Sequence, residues 1–181
     1  MIEEQIGTYC RLKGFRPQTL SRWLGFNPED RGAILRLVQD LKPGENHFKD
    51  ILDWLEEIAL RDGVGIAALL RENLSRITSD PRLGRNDKLK RVKEELWRLR
   101  FPRLARIETE IHGRVREMKL GPELSVTVPP GLEGGVVTLQ IKAASHEEMK
   151  RLAGEAARVA ETDAMKEIFA LLSGESPHEK L

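Results

Sequence analysis

The stretch Leu124-Ser125-Val126-Thr127-Val128-Pro129-Pro130-Gly131-Leu132-Glu133-Gly134-Gly135-Val136-Val137-Thr138-Leu139-Gln140-Ile141 decides the fold class, because here the hydrophobic period becomes two. Leu124, Val126 and Val128 alternate with Ser125 and Thr127. Val137, Leu139 and Ile141 alternate with Thr138 and Gln140. Successive side chains of a strand point to opposite faces, so this pattern predicts two half-buried strands. The connection from Pro129 to Gly135 is rich in turn formers and short enough for a hairpin loop.

Outward from the hairpin the pattern is helical. Downstream, Ser145 and Glu148 form a capping box, with Glu148 expected to reach back to the amide of Ser145. Met149, Leu152, Ala156 and Val159 carry that helix onward. A last helix is expected from Ala164 to Leu172, with fraying after Gly174. Upstream, Leu104, Ile107, Ile111, Val115 and Met118 recur at helical spacing. Pro102 separates them from a helix that starts at Asn86 and carries Leu89, Val92, Leu96 and Leu99, because proline pushes Phe101 out of the helical region.

Earlier still, Pro17–Leu24 reads as a short helix stopped by Gly25. Asn27-Pro28 opens another that runs to about Leu41, ended by Lys42-Pro43-Gly44. Asn46 is the expected cap of a helix whose stripe is Phe48, Ile51, Leu52, Leu55, Ile58 and Ala59, ended by Gly63. A short helix follows from Ile66 to about Leu74. The loop Ser79-Asp80-Pro81 with Gly84 comes next. The expectation is a mainly α protein with a small α+β module at its C-terminal end. Residues 1–85 would form a helical domain. Residues 86–181 would form basic helices and a helix–hairpin–helix module.

An isolated two-stranded hairpin is marginally stable in water. Its apolar face needs a second copy of the module or a helix of the same chain. A homodimer built by residues 103–160 is therefore expected, with Val126, Val128, Val137, Leu139, Ile141, Met149 and Leu152 at the dimerisation surface.

Composition narrows the function classes. Of 181 residues 33% are charged, yet 30 Lys and Arg stand against 29 Asp and Glu, a net charge of +1. Any nucleic-acid partner must therefore be recognised through charge distribution rather than total charge. Cys10 is the only cysteine, which excludes an intrachain disulfide and a Cys-based zinc site within one chain. Glu3 and Glu4 stand near the start and no apolar run approaches the ~20 residues of a membrane span, so no secretory leader and no membrane partner are expected. The expected location is cytoplasmic.

His47, His112, His146 and His178 are scattered without i,i+4 pairing, and no phosphate-loop or nucleophile-elbow motif occurs. No catalytic residue, metal or cofactor is expected, and Cys10 reads as inert. Trp23, Trp54 and Trp97 fall beside helical core positions and read as packing residues.

The charge is segregated. Between Asn86 and Lys119 eleven basic residues stand against six acidic ones, whereas between Glu45 and Glu57 five carboxylates stand against Lys49 alone. The densest basic run is Arg98-Leu99-Arg100-Phe101-Pro102-Arg103. Lys88, Lys90, Arg91, Lys93, Arg98, Arg100, Arg103 and Arg106 are the candidate phosphate ligands, since guanidinium groups donate in a planar fork to phosphate oxygens. The plainer reading is a solvated face with i,i+4 pairs such as Arg91–Glu95 and Glu94–Arg98. Pro17–Leu24 and Pro28–Leu41 have the outline of a helix-turn-helix. Glu29 and Asp30, however, would lead its recognition helix and repel phosphates, so an ordinary helical hairpin is expected.

Lys119-Leu120-Gly121, Val126-Thr127-Val128, Gly135-Val136-Val137-Thr138-Leu139-Gln140-Ile141 and Ser145-His146-Glu147-Glu148-Met149-Lys150-Arg151-Leu152 together resemble the end of ParB-type chromosome and plasmid partition proteins. The resemblance covers about a quarter of the chain and implies a DNA-binding dimerisation module of helix, two strands and helix. No Gly-Glu-Arg-Arg motif is present, so nucleotide binding is not implied. The chain would then be a fragment or a relative without the nucleotide domain. Two function classes follow. One is a DNA-associated homodimer holding the nucleic-acid backbone. The other is an adaptor that docks another protein through apolar helix faces and the acidic 45–57 helix.

Overall fold

Helix follows helix from the second residue onward. The computed structural model describes residues 1–174, which divide into two compact units, Met1–Arg100 and the part from Phe101 onward. The fraying expected after Gly174 concerns residues outside those described.

The first unit holds α1 (Ile2–Lys13), α2 (Pro17–Leu24), α3 (Pro28–Leu41), α4 (Glu45–Asp62), α5 (Ile66–Leu69), α6 (Ser75–Thr78) and α7 (Arg85–Arg100). A π-helical turn at Leu70–Leu74 joins α5 to α6, so the helix expected at 66–74 runs on to Thr78. Helix α1 was not foreseen. Only Ile6 and Cys10 are buried along its length, too sparse an apolar pattern to announce a helix. Asn27 caps α3 as expected, its side chain accepting from the Asp30 amide at 2.9 Å.

Helix α3 is the central one. Ala33, Ile34, Leu35, Leu37, Val38 and Leu41 are all buried, along with Asp30. A recognition helix must present a face to DNA, and α3 has little to present. Around it pack Trp23, Phe48, Ile51, Leu52, Leu55, Ile58, Leu74, Val92 and Leu96. Trp23 and Phe48 approach with ring centroids 4.9 Å apart. Val92 and Leu96 are completely buried in this core, so α7 belongs to the first unit. The boundary expected after residue 85 therefore moves to Arg100/Phe101.

Helix α7 ends at Arg100 and α8 (Pro102–Glu117) begins at Pro102, with Phe101 at φ −121° and ψ 63°. The proline break is where the sequence puts it. The second unit continues with β1 (Leu124–Thr127), β2 (Thr138–Ile141), α9 (His146–Ala160) and α10 (Asp163–Ser173). The strands pair antiparallel, Leu124 with Ile141 and Val126 with Leu139. These four residues share one face, and it is packed against Val115, Met118, Ala156, Val159 and Met165 of the chain's own helices. A second cluster forms around Ile111, Ile168 and Leu171.

The hairpin loop is irregular. Gly131 and Gly134 take positive φ, and so does Leu132 at φ 58°, a strained setting for a branched residue. Leu132 packs against the Ile111 cluster, and the Gly131 amide donates to Glu108 at 2.9 Å, which together hold the loop to α8. At α9 the Ser145 hydroxyl accepts from the Glu148 amide, while Glu148 reaches the amide of Ala144 rather than that of Ser145. The whole is a mainly helical chain with a small two-stranded module, as the sequence leads one to expect.

Candidate nucleic-acid interface

The acidic helix α4 is the starting point, because its carboxylates settle where the free positive charge lies. Helix α4 starts at Glu45 with Gly44 as N-cap, two residues before the position that an Asn46 cap would give. Glu45 is drawn instead to the start of α2, accepting from the Thr19 hydroxyl at 2.6 Å and the Arg16 amide at 2.8 Å. These bonds, Thr19 first, hold its carboxyl below the usual range.

Further along α4 the carboxylates meet cations of α2 and α7. Arg22 reaches Glu56 at 2.5 Å and Asp53 at 2.6 Å, and the Glu56 hydrogen bonds keep its guanidinium more firmly protonated than usual. Lys93 donates to Asp50 at 2.9 Å, stands 3.2 Å from His47 Nδ1 and lies 5.4 Å from the centre of the Trp54 ring. Arg100 pairs with Glu57. Two residues of the basic segment, Lys93 and Arg100, thus find their partners on α4, while Glu45, Asp53 and Glu56 answer to Arg16, Thr19 and Arg22.

This sorts the expected phosphate ligands. Lys93 and Arg100 are engaged by α4. Lys88 donates to the Thr78 carbonyl at the end of α6. Lys90 is exposed, 3.9 Å from Glu94, and Arg98 is exposed, 3.6 Å from Glu95. Arg91 is exposed and without an ion pair among the described residues. Arg103 and Arg106 stand on α8 in the second unit, Arg103 exposed and Arg106 paired with Glu110 at 3.0 Å. The run Arg98–Arg103 is therefore divided between two units.

Residues outside the expected set matter more. From Arg71 to Arg91 seven cations stand against three carboxylates. Arg71, Arg76 and Arg85 are exposed and, like Arg91, have no ion pair among the described residues. Counting charge over 71–91 would have found this excess. Counting from Asn86 cut it in two.

The expected dimerisation residues also separate. Val126 and Leu152 are buried within their own unit. Val128, Val137, Leu139 and Ile141 are half-buried, and Met149 is exposed. Among the described residues no three His, Cys, Asp or Glu side chains are placed to hold a metal ion, and no helix is long and apolar enough to cross a membrane. No protein-family model, no curated protein and no solved structure matches this chain.

Proposed function

We propose that this protein is a non-enzymatic, DNA-associated homodimer that holds the nucleic-acid backbone through its first unit and self-associates through its second. What carries the reading is the excess of exposed, unpaired cations between Arg71 and Arg91, left over once α4 has engaged Arg22, Lys93 and Arg100. Phosphate neutralisation by such groups releases counterions and needs no base recognition. The adaptor reading is weakened by the same pairs, since the acidic 45–57 helix directs its carboxylates to α2 and α7.

Self-association is supported by the hairpin. Each strand of a two-stranded sheet has one open edge. Leu139 and Ile141 lie opposite fully covered Val126 and Leu124 yet stay partly exposed, and Met149 is exposed on α9. A strand edge of this kind suits an isologous, two-fold contact with a second copy.

The full chain, titrated into a labelled duplex between about 50 and about 200 mM salt, should show log affinity falling linearly with log salt. No binding at the low end, or binding indifferent to salt, overturns the reading. Sedimentation equilibrium of the full chain should give twice the chain mass. A monomer at every concentration overturns the dimer.

A further inference from the structure

The loop between α6 and α7 gathers cations around one carboxylate. Asp80 accepts from the Arg82 amide at 2.9 Å, from Arg82 Nε at 3.1 Å and from Arg82 Nη2 at 3.0 Å. Arg91 lies near enough for its charge to act on the same carboxyl. Arg85, Lys88 and Arg91 are successive i,i+3 neighbours on α7. The middle one is anchored to α6 through the Thr78 carbonyl, so the ladder is fixed against this loop. Arg82, Arg85 and Arg91 are exposed. Of the carboxylates nearest them in the chain, Asp80 is already covered by Arg82, Asp87 lies over Gly84, and Glu94 and Glu95, three and four residues after Arg91, pair with Lys90 and Arg98.

We infer that the α6–α7 corner is the DNA-binding site, with Arg82, Arg85 and Arg91 as its phosphate ligands, and that it grips duplex backbone without reading bases. The inference rests on the DNA-associated reading above and assigns it a place. No aromatic residue occurs between Arg71 and Arg91, so the corner lacks the stacking platform that single strands need. The large apolar side chains most exposed on the first unit, Met1, Leu12 and Leu60, belong to the N-terminus, α1 and α4, so the corner lacks the apolar wedge that holds a lipid surface. Arg82 covers Asp80 in the free protein and keeps Nη1 for a phosphate oxygen.

The test uses the full chain and a short duplex of random sequence. Arg85→Ala/Arg91→Ala should weaken binding and flatten the plot of log affinity against log salt by about 1.8, two contacts at about 0.9 each. The charge-matched Arg11→Ala/Lys49→Ala, on α1 and α4, should leave that slope unchanged. An unchanged slope in the corner variant overturns this site while wild-type binding leaves the broader reading standing. An equal fall in the charge-matched variant overturns it in favour of net charge. A wild type that binds no duplex, or binds only anionic vesicles, overturns both. If the alanine pair loses its helical circular dichroism, Arg85→Gln/Arg91→Gln takes its place with the same expected slope.

Discussion

Arg100 on α7 closes on Glu57 of α4, with Nε 2.5 Å from Oε2 and Nη2 donating to Oε1 at 2.9 Å. The pair joins the residue that ends the first unit to the acidic helix, and it withdraws one of the expected phosphate ligands from the surface. Glu57 is about half exposed, so solvent screens the attraction. A double-mutant cycle with Arg100→Gln and Glu57→Gln should give a coupling of about 0.2–1 kcal/mol, measured by urea unfolding. A coupling near zero would mean that the two side chains separate in solution.

Leu96 sits on the same helix with no exposed surface, and Val92 beside it is likewise covered. Leu96→Ala should lower the unfolding free energy by about 2–5 kcal/mol, the cost of an unfilled core site. The unit boundary makes a sharper expectation. A fragment of residues 1–100 should melt cooperatively. A fragment of residues 1–85, which lacks both side chains, should not. Equal melting of the two would return the boundary to residue 85.

The hairpin was legible because a period of two needs only neighbours in the chain, and Leu124 to Ile141 displays it twice. The break at Pro102 was legible for the same local reason. The site was less so. Arg100 and Glu57 are 43 residues apart, as are Lys93 and Asp50. A linear count treats each as free charge when packing makes them partners. The start of α4 was misplaced because Asn46 is a good local cap, whereas Glu45 answers to Thr19, 26 residues earlier. The π-helical turn at Leu70–Leu74 has no signature in the helical period that surrounds it.

Asp30 shows the same long reach inside the core. Its carboxylate is buried and accepts from the Ala67 amide at 2.7 Å and from the Asn27 side chain at 2.6 Å. It thereby caps α5 from another helix, 37 residues away. Asp30→Ala should cost about 1–3 kcal/mol, because the Ala67 amide is left buried without an acceptor. Native-state hydrogen exchange at Ala67 should speed up in parallel. Stability and exchange both unchanged would show that another acceptor takes over.

Asp80 gives the corner a measurable signature. Its carboxyl is held down to about 2 from an ordinary value near 3.8, first by the Arg82 side chain and next by the Arg82 amide. A carboxyl whose pKa is lowered by folding stabilises the fold above the ordinary value. That contribution fades as pH falls from about 3.8 through about 2. A carbon-detected carboxyl titration should therefore place the Asp80 midpoint near 2. Arg82→Ala should raise the midpoint only part of the way to 3.8, because the backbone amide at position 82 still donates. Arg91→Ala should raise it less, since that guanidinium acts only through space and is the weakest of the causes. The order of the two shifts is the decisive point. A larger shift on removing Arg91 would place Arg91, rather than Arg82, against the carboxylate, and the corner would present a different pair of free guanidinium groups to a phosphate backbone.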